Sequence, residues 1–128
     1  MEKLASALEV FDDVEIVTMP SATKCVVKLV DFIFEVTVAN EVLEWFVDVY
    51  DNSKTLIVQD WFDYQGYDDF SIIELESYLL SDVILFVEKV RTGKFRVKEQ
   101  NCLWNKKKKY LEREEQNVWT QFLPQLTI

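Results

Sequence analysis

Residues 43–70, LEWFVDVYDNSKTLIVQDWFDYQGYDDF, and residues 71–90, SIIELESYLLSDVILFVEKV, decide how this chain folds. In the first stretch Leu43, Trp45, Val47 and Val49 alternate with Glu44, Phe46, Asp48 and Tyr50, the two-residue period of a strand with one core face. Asp51-Asn52-Ser53-Lys54 is turn chemistry, and Thr55–Trp61 returns as the next strand. Ser71 followed by Glu74 forms a capping box, with Asp68-Asp69 complementing the positive end of the helix dipole. Beyond it Ile72, Leu75, Leu79, Val83, Phe86 and Val90 recur at spacings of three and four, the buried stripe of a long helix. A second stripe of Ile73, Leu80, Ile84 and Val87 leaves a polar face hardly wider than Glu74, Ser77, Ser81 and Glu88. Such a helix needs burial on more than one side. Two arrangements satisfy it: the helix lies across the sheet beneath another element, or the 71–91 segment forms a homodimer contact.

Upstream, Leu4, Leu8 and Phe11 at helical spacing predict a short amphipathic helix over residues 3–12. The β-branched run Val14, Ile16, Val17, Thr18 reads as a strand that Pro20 stops. Val26, Val30, Phe32, Phe34, Val36 and Val38 then share one parity, over a run long enough to require a bend near Asp31 or two short strands. Residues 39–42 connect into the Leu43 strand. Downstream, Thr92-Gly93 ends the long helix and Lys94–Glu99 alternates as an edge-like strand. The last segment allows a helix through Leu111, Val118 and Phe122, but its lysines would then oppose the dipole. A hairpin of Lys108–Arg113 and Val118–Phe122, turning through Glu-Glu-Gln-Asn, removes that conflict and is the expected form. The fold expected is α+β in a single domain, residues 1–128: an antiparallel meander sheet with a short N-terminal helix and one long helix packed on it.

The 128 residues suffice for one core, and only two glycines and two prolines accompany a chain that is 49% hydrophobic, a folded composition. The net charge of −9 is unevenly distributed, because residues 1–88 carry −15 and residues 89–128 carry +6. An acidic surface disfavours nucleic acid and anionic membrane as partners and favours a basic protein or a cation. No signal peptide pattern and no apolar run of about 18–20 residues occurs, so the chain is expected in the cytoplasm, out of the membrane, with Cys25 and Cys102 reduced.

The sequence holds no histidine, which removes Ser-His-Asp and Cys-His nucleophile systems. It also lacks CxxC, Walker A and GxGxxG patterns, and two glycines cannot build a phosphate cradle. Asp48, Asp51, Asp60, Asp63, Asp68 and Asp69 crowd about twenty residues and leave carboxylate catalysis or a Mg²⁺ or Ca²⁺ site as alternatives, though the spacing fits no EF-hand. No catalytic residue, metal ligand or cofactor is therefore assigned. Lys94, Arg96, Lys98, Lys106–Lys109 and Arg113, with Trp104 and Tyr110 between them, resemble a phosphate grip, yet in a strand the lysines alternate between faces. Protection of an exposed edge is the plainer reading.

In DWFDYQGYDDF, residues 60–70, aromatics alternate with aspartates, a division of labour found in protein interfaces. The candidate partner-binding residues are Asp48, Asp60, Phe62, Asp63, Tyr64, Tyr67, Asp68 and Asp69. If Trp61 completes the core face of its strand, only some of Phe62, Tyr64 and Tyr67 are free. With this block the chain resembles the small acidic immunity proteins that bacteria encode beside toxins, a likeness of class covering mainly residues 43–90. The resemblance implies a non-enzymatic, stoichiometric inhibitor docking on a basic, nuclease-type toxin. A self-associating structural protein and a carboxylate enzyme are the alternatives.

Overall fold

The computed structural model describes residues 2–39, 42–67 and 69–127. After helix α1 (Glu2–Leu8), strands β1 (Val14–Thr18), β2 (Ala22–Lys28), β3 (Phe32–Ala39), β4 (Glu44–Asp51) and β5 (Leu56–Asp63) pair in chain order as a five-stranded antiparallel meander. Helix α2 (Ile72–Arg91) follows, and β6 (Phe95–Asn101), β7 (Lys107–Glu115) and β8 (Val118–Gln121) form a second antiparallel sheet of their own. The expected α+β class, meander, short first helix and single long helix are all present.

Alternation in the strands builds the core. Cys25, Val27, Phe34, Val36, Val38, Trp45, Val47 and Val49 point to one side of the large sheet and are at most 2% exposed. Leu4 and Leu8 of α1 and Leu79, Val83, Val87 and Val90 of α2 meet them, each fully buried. Every such side chain contributes about 1.5–3 kcal/mol relative to an exposed position. The second stripe of α2 is covered in part within the chain: Val87 is buried and Leu80 and Ile84 pack half-buried against the core, while Ile73 is exposed. Phe86 contacts Trp45 and Phe34 on the sheet side and stacks on Phe122 at 5.3 Å, while Phe95 packs on both Phe34 and Phe122. The long helix thus lies between the sheet and the segment that follows β8. Ser71 caps it as expected, its Oγ accepting from the Glu74 N–H at 3.2 Å.

Several expectations are corrected. The stripe on α2 begins at Leu75, because Ile72 and Ile73 are 73% and 81% exposed in the first turn. The first helix ends at Leu8, and Phe11 instead lies under the Arg91 guanidinium, 4.4 Å from the ring centroid. Val30 is 92% exposed in the β2–β3 turn. Lys28 pairs with Ile33, an even residue with an odd one, so the core set changes from Cys25 and Val27 in β2 to Phe32 and Phe34 in β3. Val26 consequently faces away from the helices, beside Glu35.

The C-terminal hairpin has the expected form. Gln116 and Asn117 both take positive φ, 50° and 66°, as a type I′ turn requires. Cys25 is buried, which pushes its thiol up to about 12, and Cys102 is exposed; neither is in a disulfide. No helix among the described residues is long and apolar enough to cross a membrane.

Candidate functional site

The helices pack on one side of the five-stranded sheet and leave its other side open. Along β4 the open side receives Glu44, Phe46, Asp48 and Tyr50, and the β5 partners of the first three are Asp63, Trp61 and Gln59. From β3 come Ile33, Glu35 and Thr37, with Glu35 directly opposite Asp48. Two like-charged pairs therefore stand face to face across adjacent strands, Glu35 with Asp48 and Glu44 with Asp63. Like charges in such registers are destabilising, each by a fraction of a kcal/mol up to about 1 kcal/mol. Lys24, 3.9 Å from Glu35, offsets part of the first pair. The second has no cation near enough for an ion pair among the described residues.

Between the carboxylates lies an aromatic row. Phe46 and Trp61 stack with ring centroids 6.5 Å apart, and Trp61, 56% exposed, donates its Nε1–H to Glu44 at 2.9 Å. Tyr50 has its hydroxyl pKa raised above the ordinary value, first by desolvation and then by the negative charges of Glu35 and Asp48 and a hydrogen bond to Glu35. Asp48 accepts from the Gln59 side chain at 2.9 Å, and Asp63 accepts from the Gln65 backbone N–H at 2.8 Å. The carboxylates are thereby held in place without being neutralised.

The aspartates and aromatics expected to act together divide among three places. Asp48 and Asp63 share the open face. Asp60, Phe62 and Tyr64 point the other way. Phe62 packs on Trp45 at 4.7 Å, and Tyr64 is 2% exposed, so neither ring is offered to a partner as the sequence reading expected. The cause is strand parity: Val47 pairs with Asp60, which turns the even residues of β5 inward and Trp61 outward. Asp60 lines a cleft of about 410 Å³ against Lys107–Lys109 of β7, where burial raises its pKa and Lys108 partly opposes the rise. Tyr67 and the exposed Asp69 lie past the end of the sheet, Tyr67 lining a hollow of about 430 Å³ with Leu43, Phe70, Ile72 and Leu75. Asp68 falls outside the described residues.

Glu35, Glu44, Phe46 and Tyr50 have no role in the sequence reading, and Trp61, weighed there for the core face of its strand, instead faces outward. The alternation of β4 displayed three of them as a second face. Only the pairing register shows that Trp61 joins that face.

Comparison of the chain with family models, curated proteins and solved structures finds no match. The site therefore has to be read from its own chemistry. No group of three or more acidic or cysteine side chains is placed to hold a metal ion among the described residues. What the open face offers is an acidic sheet surface with an exposed indole and a half-buried phenol, suited to a cationic macromolecular surface.

Proposed function

We propose that this chain is a non-enzymatic protein-binding module of the immunity type, a cytoplasmic bacterial inhibitor that docks on a basic, nuclease-type toxin. The observation that carries the reading is the pair of like-charged cross-strand registers, Glu35 opposite Asp48, offset only in part by Lys24, and Glu44 opposite Asp63, set around the exposed Trp61. A sheet gains nothing in stability from facing like charges. A basic partner supplies the missing cations, and the acidic field speeds its approach. Trp61 and Tyr50 are the residue types that dominate binding energy when they become desolvated at the centre of an interface.

The test is co-expression with the open reading frame immediately upstream of the gene, scoring growth and co-purification. A toxic neighbour neutralised in a stable complex supports the reading, and Trp61→Ala is then expected to weaken the complex at least about tenfold. A harmless neighbour that forms no complex overturns it.

A further inference from the structure

The β6–β7 hairpin is a finger of opposite character to the sheet face. Arg96–Asn101 of β6 and Lys107–Lys109 of β7 are exposed on both sides of a two-stranded ribbon. Between residues 96 and 109 it carries Arg96, Lys98 and Lys106–Lys109 against Glu99 alone, a net charge of +5 in a chain of net −9. The tip is a tight turn closed by the Cys102 N–H donating to the Lys106 carbonyl at 2.7 Å, with Trp104 held at φ 68°. On that turn Leu103 and Trp104 are 85% and 90% exposed. Neither side chain stabilises the fold from there.

We infer that this finger is a membrane-contact device: Leu103 and Trp104 enter the headgroup boundary of an anionic bilayer while the surrounding lysines pair with lipid phosphates. An apolar tip combined with a basic stem supplies the two signals that lasting attachment to a lipid surface requires. Indole rings prefer that boundary.

The ribbon's geometry distinguishes a bilayer from a nucleic acid strand. Cross-strand partners share a face, so Lys107 and Lys109 occupy one side with Glu99, and Lys98 and Lys108 the other with Gln100 and Tyr110. A single strand lying along either face meets only half of these cations. A plane approached tip first meets both sides. Leucine has no ring to stack on a base, but it partitions readily beside tryptophan into lipid. The acidic character that argues against membrane binding belongs mainly to residues 1–88; the finger itself carries only Glu99, ion-paired with Lys107 at 3.8 Å, and meets that acidity where Asp60 faces Lys108.

Co-sedimentation of the full chain with vesicles tests the inference, comparing phosphatidylcholine alone with phosphatidylcholine mixed with phosphatidylglycerol at low salt. Binding is expected only to the anionic vesicles, falling about fivefold for each finger lysine removed. It should be abolished in a Leu103→Ser/Trp104→Asn variant with an unchanged melting temperature; asparagine tolerates the left-handed backbone at 104. Brominated lipid should quench the wild type more than Trp104→Phe, isolating this indole from the other three tryptophans. No vesicle binding, binding unaffected by the tip variant, or retention of a single-stranded oligonucleotide in place of vesicles overturns the inference.

Discussion

Tyr64 sits where β5, α2 and the C-terminal segment meet. The Trp45 indole N–H donates to its hydroxyl at 3.1 Å, and that hydroxyl donates to Asp82 at 2.6 Å. Asp82, 3% exposed, also accepts from the Thr127 backbone N–H at 3.1 Å and from the Thr127 hydroxyl. Burial, followed by the hydrogen bond to Asp82, raises the Tyr64 pKa well above the ordinary phenol value, so the phenol remains a donor at physiological pH. Tyr64→Phe strips the Trp45 N–H of its acceptor and Asp82 of a donor, and the expected loss is about 1–3 kcal/mol in urea unfolding. Trp61→Ala, by contrast, should stay within about 0.5 kcal/mol of wild type. Equal losses would mean that Trp61 supports the fold and is not a free anchor. Asp60 makes a pH-dependent prediction. Its folded pKa is raised above 3.8 by burial, so the folded state binds more protons than the unfolded state over the pH range just above that value. Stability is therefore lost as pH rises through this window. Asp60→Asn should gain a few tenths of a kcal/mol at neutral pH, a figure discounted for partial solvent screening. The gain should vanish once the pH falls below the ordinary carboxylate range. A less stable Asn variant at neutral pH would show that the attraction of Lys108 outweighs the burial.

At the level of elements, local signals proved legible where one residue type imposes a geometry. Ser71 with Glu74 placed the start of α2, and the dipole argument against a helix over the lysine run correctly left a hairpin there. Which residues share a face was legible only inside single strands. Between strands it depends on turn length and register, which side-chain type does not encode. The β2–β3 turn changed the parity of the core set and left Val30 in solvent. A register shift between Val49 and Tyr50 similarly stands between the β4 alternation and the facing of β5, so Tyr64 could not be recognised as core from periodicity. The open face is not legible in the sequence for the same reason, since it is assembled from three strands. The β7–β8 turn gives an element-scale prediction. Gln116 bears the cost of positive φ that Asn-Gly would relieve. Gln116→Asn with Asn117→Gly should stabilise the protein by about 0.5–1 kcal/mol in thermal or urea unfolding. Destabilisation would imply that the Gln116 or Asn117 side chain makes a contact outweighing its backbone strain.

Across the whole molecule, charge is segregated by fold as well as by sequence. Glu35, Glu44, Asp48 and Asp63 of the first sheet collect on its open face, while most basic residues of the second sheet run out along its finger. The two regions meet where Asp60 faces Lys108, on the side where β7 approaches the outer strand β5. Such a dipolar arrangement orients an approaching charged partner before contact. It also implies that the open face keeps its carboxylates at the expense of stability, which can be tested by converting each like pair into an opposite pair. In Asp48→Lys/Asp63→Lys, the new lysines stand directly across from Glu35 and Glu44. Relief of repulsion and gain of attraction should together stabilise the sheet by about 0.5–2 kcal/mol, read as a higher urea midpoint at unchanged slope. The same variant should associate more slowly with its basic partner and lose the steep salt dependence of that rate, because the steering field is gone. Improved stability combined with slower binding is the signature of carboxylates retained for recognition. A lower midpoint would instead show that Asp48 and Asp63 hold the sheet through Gln59 and Gln65, and the open face would then lose its claim to be the binding surface.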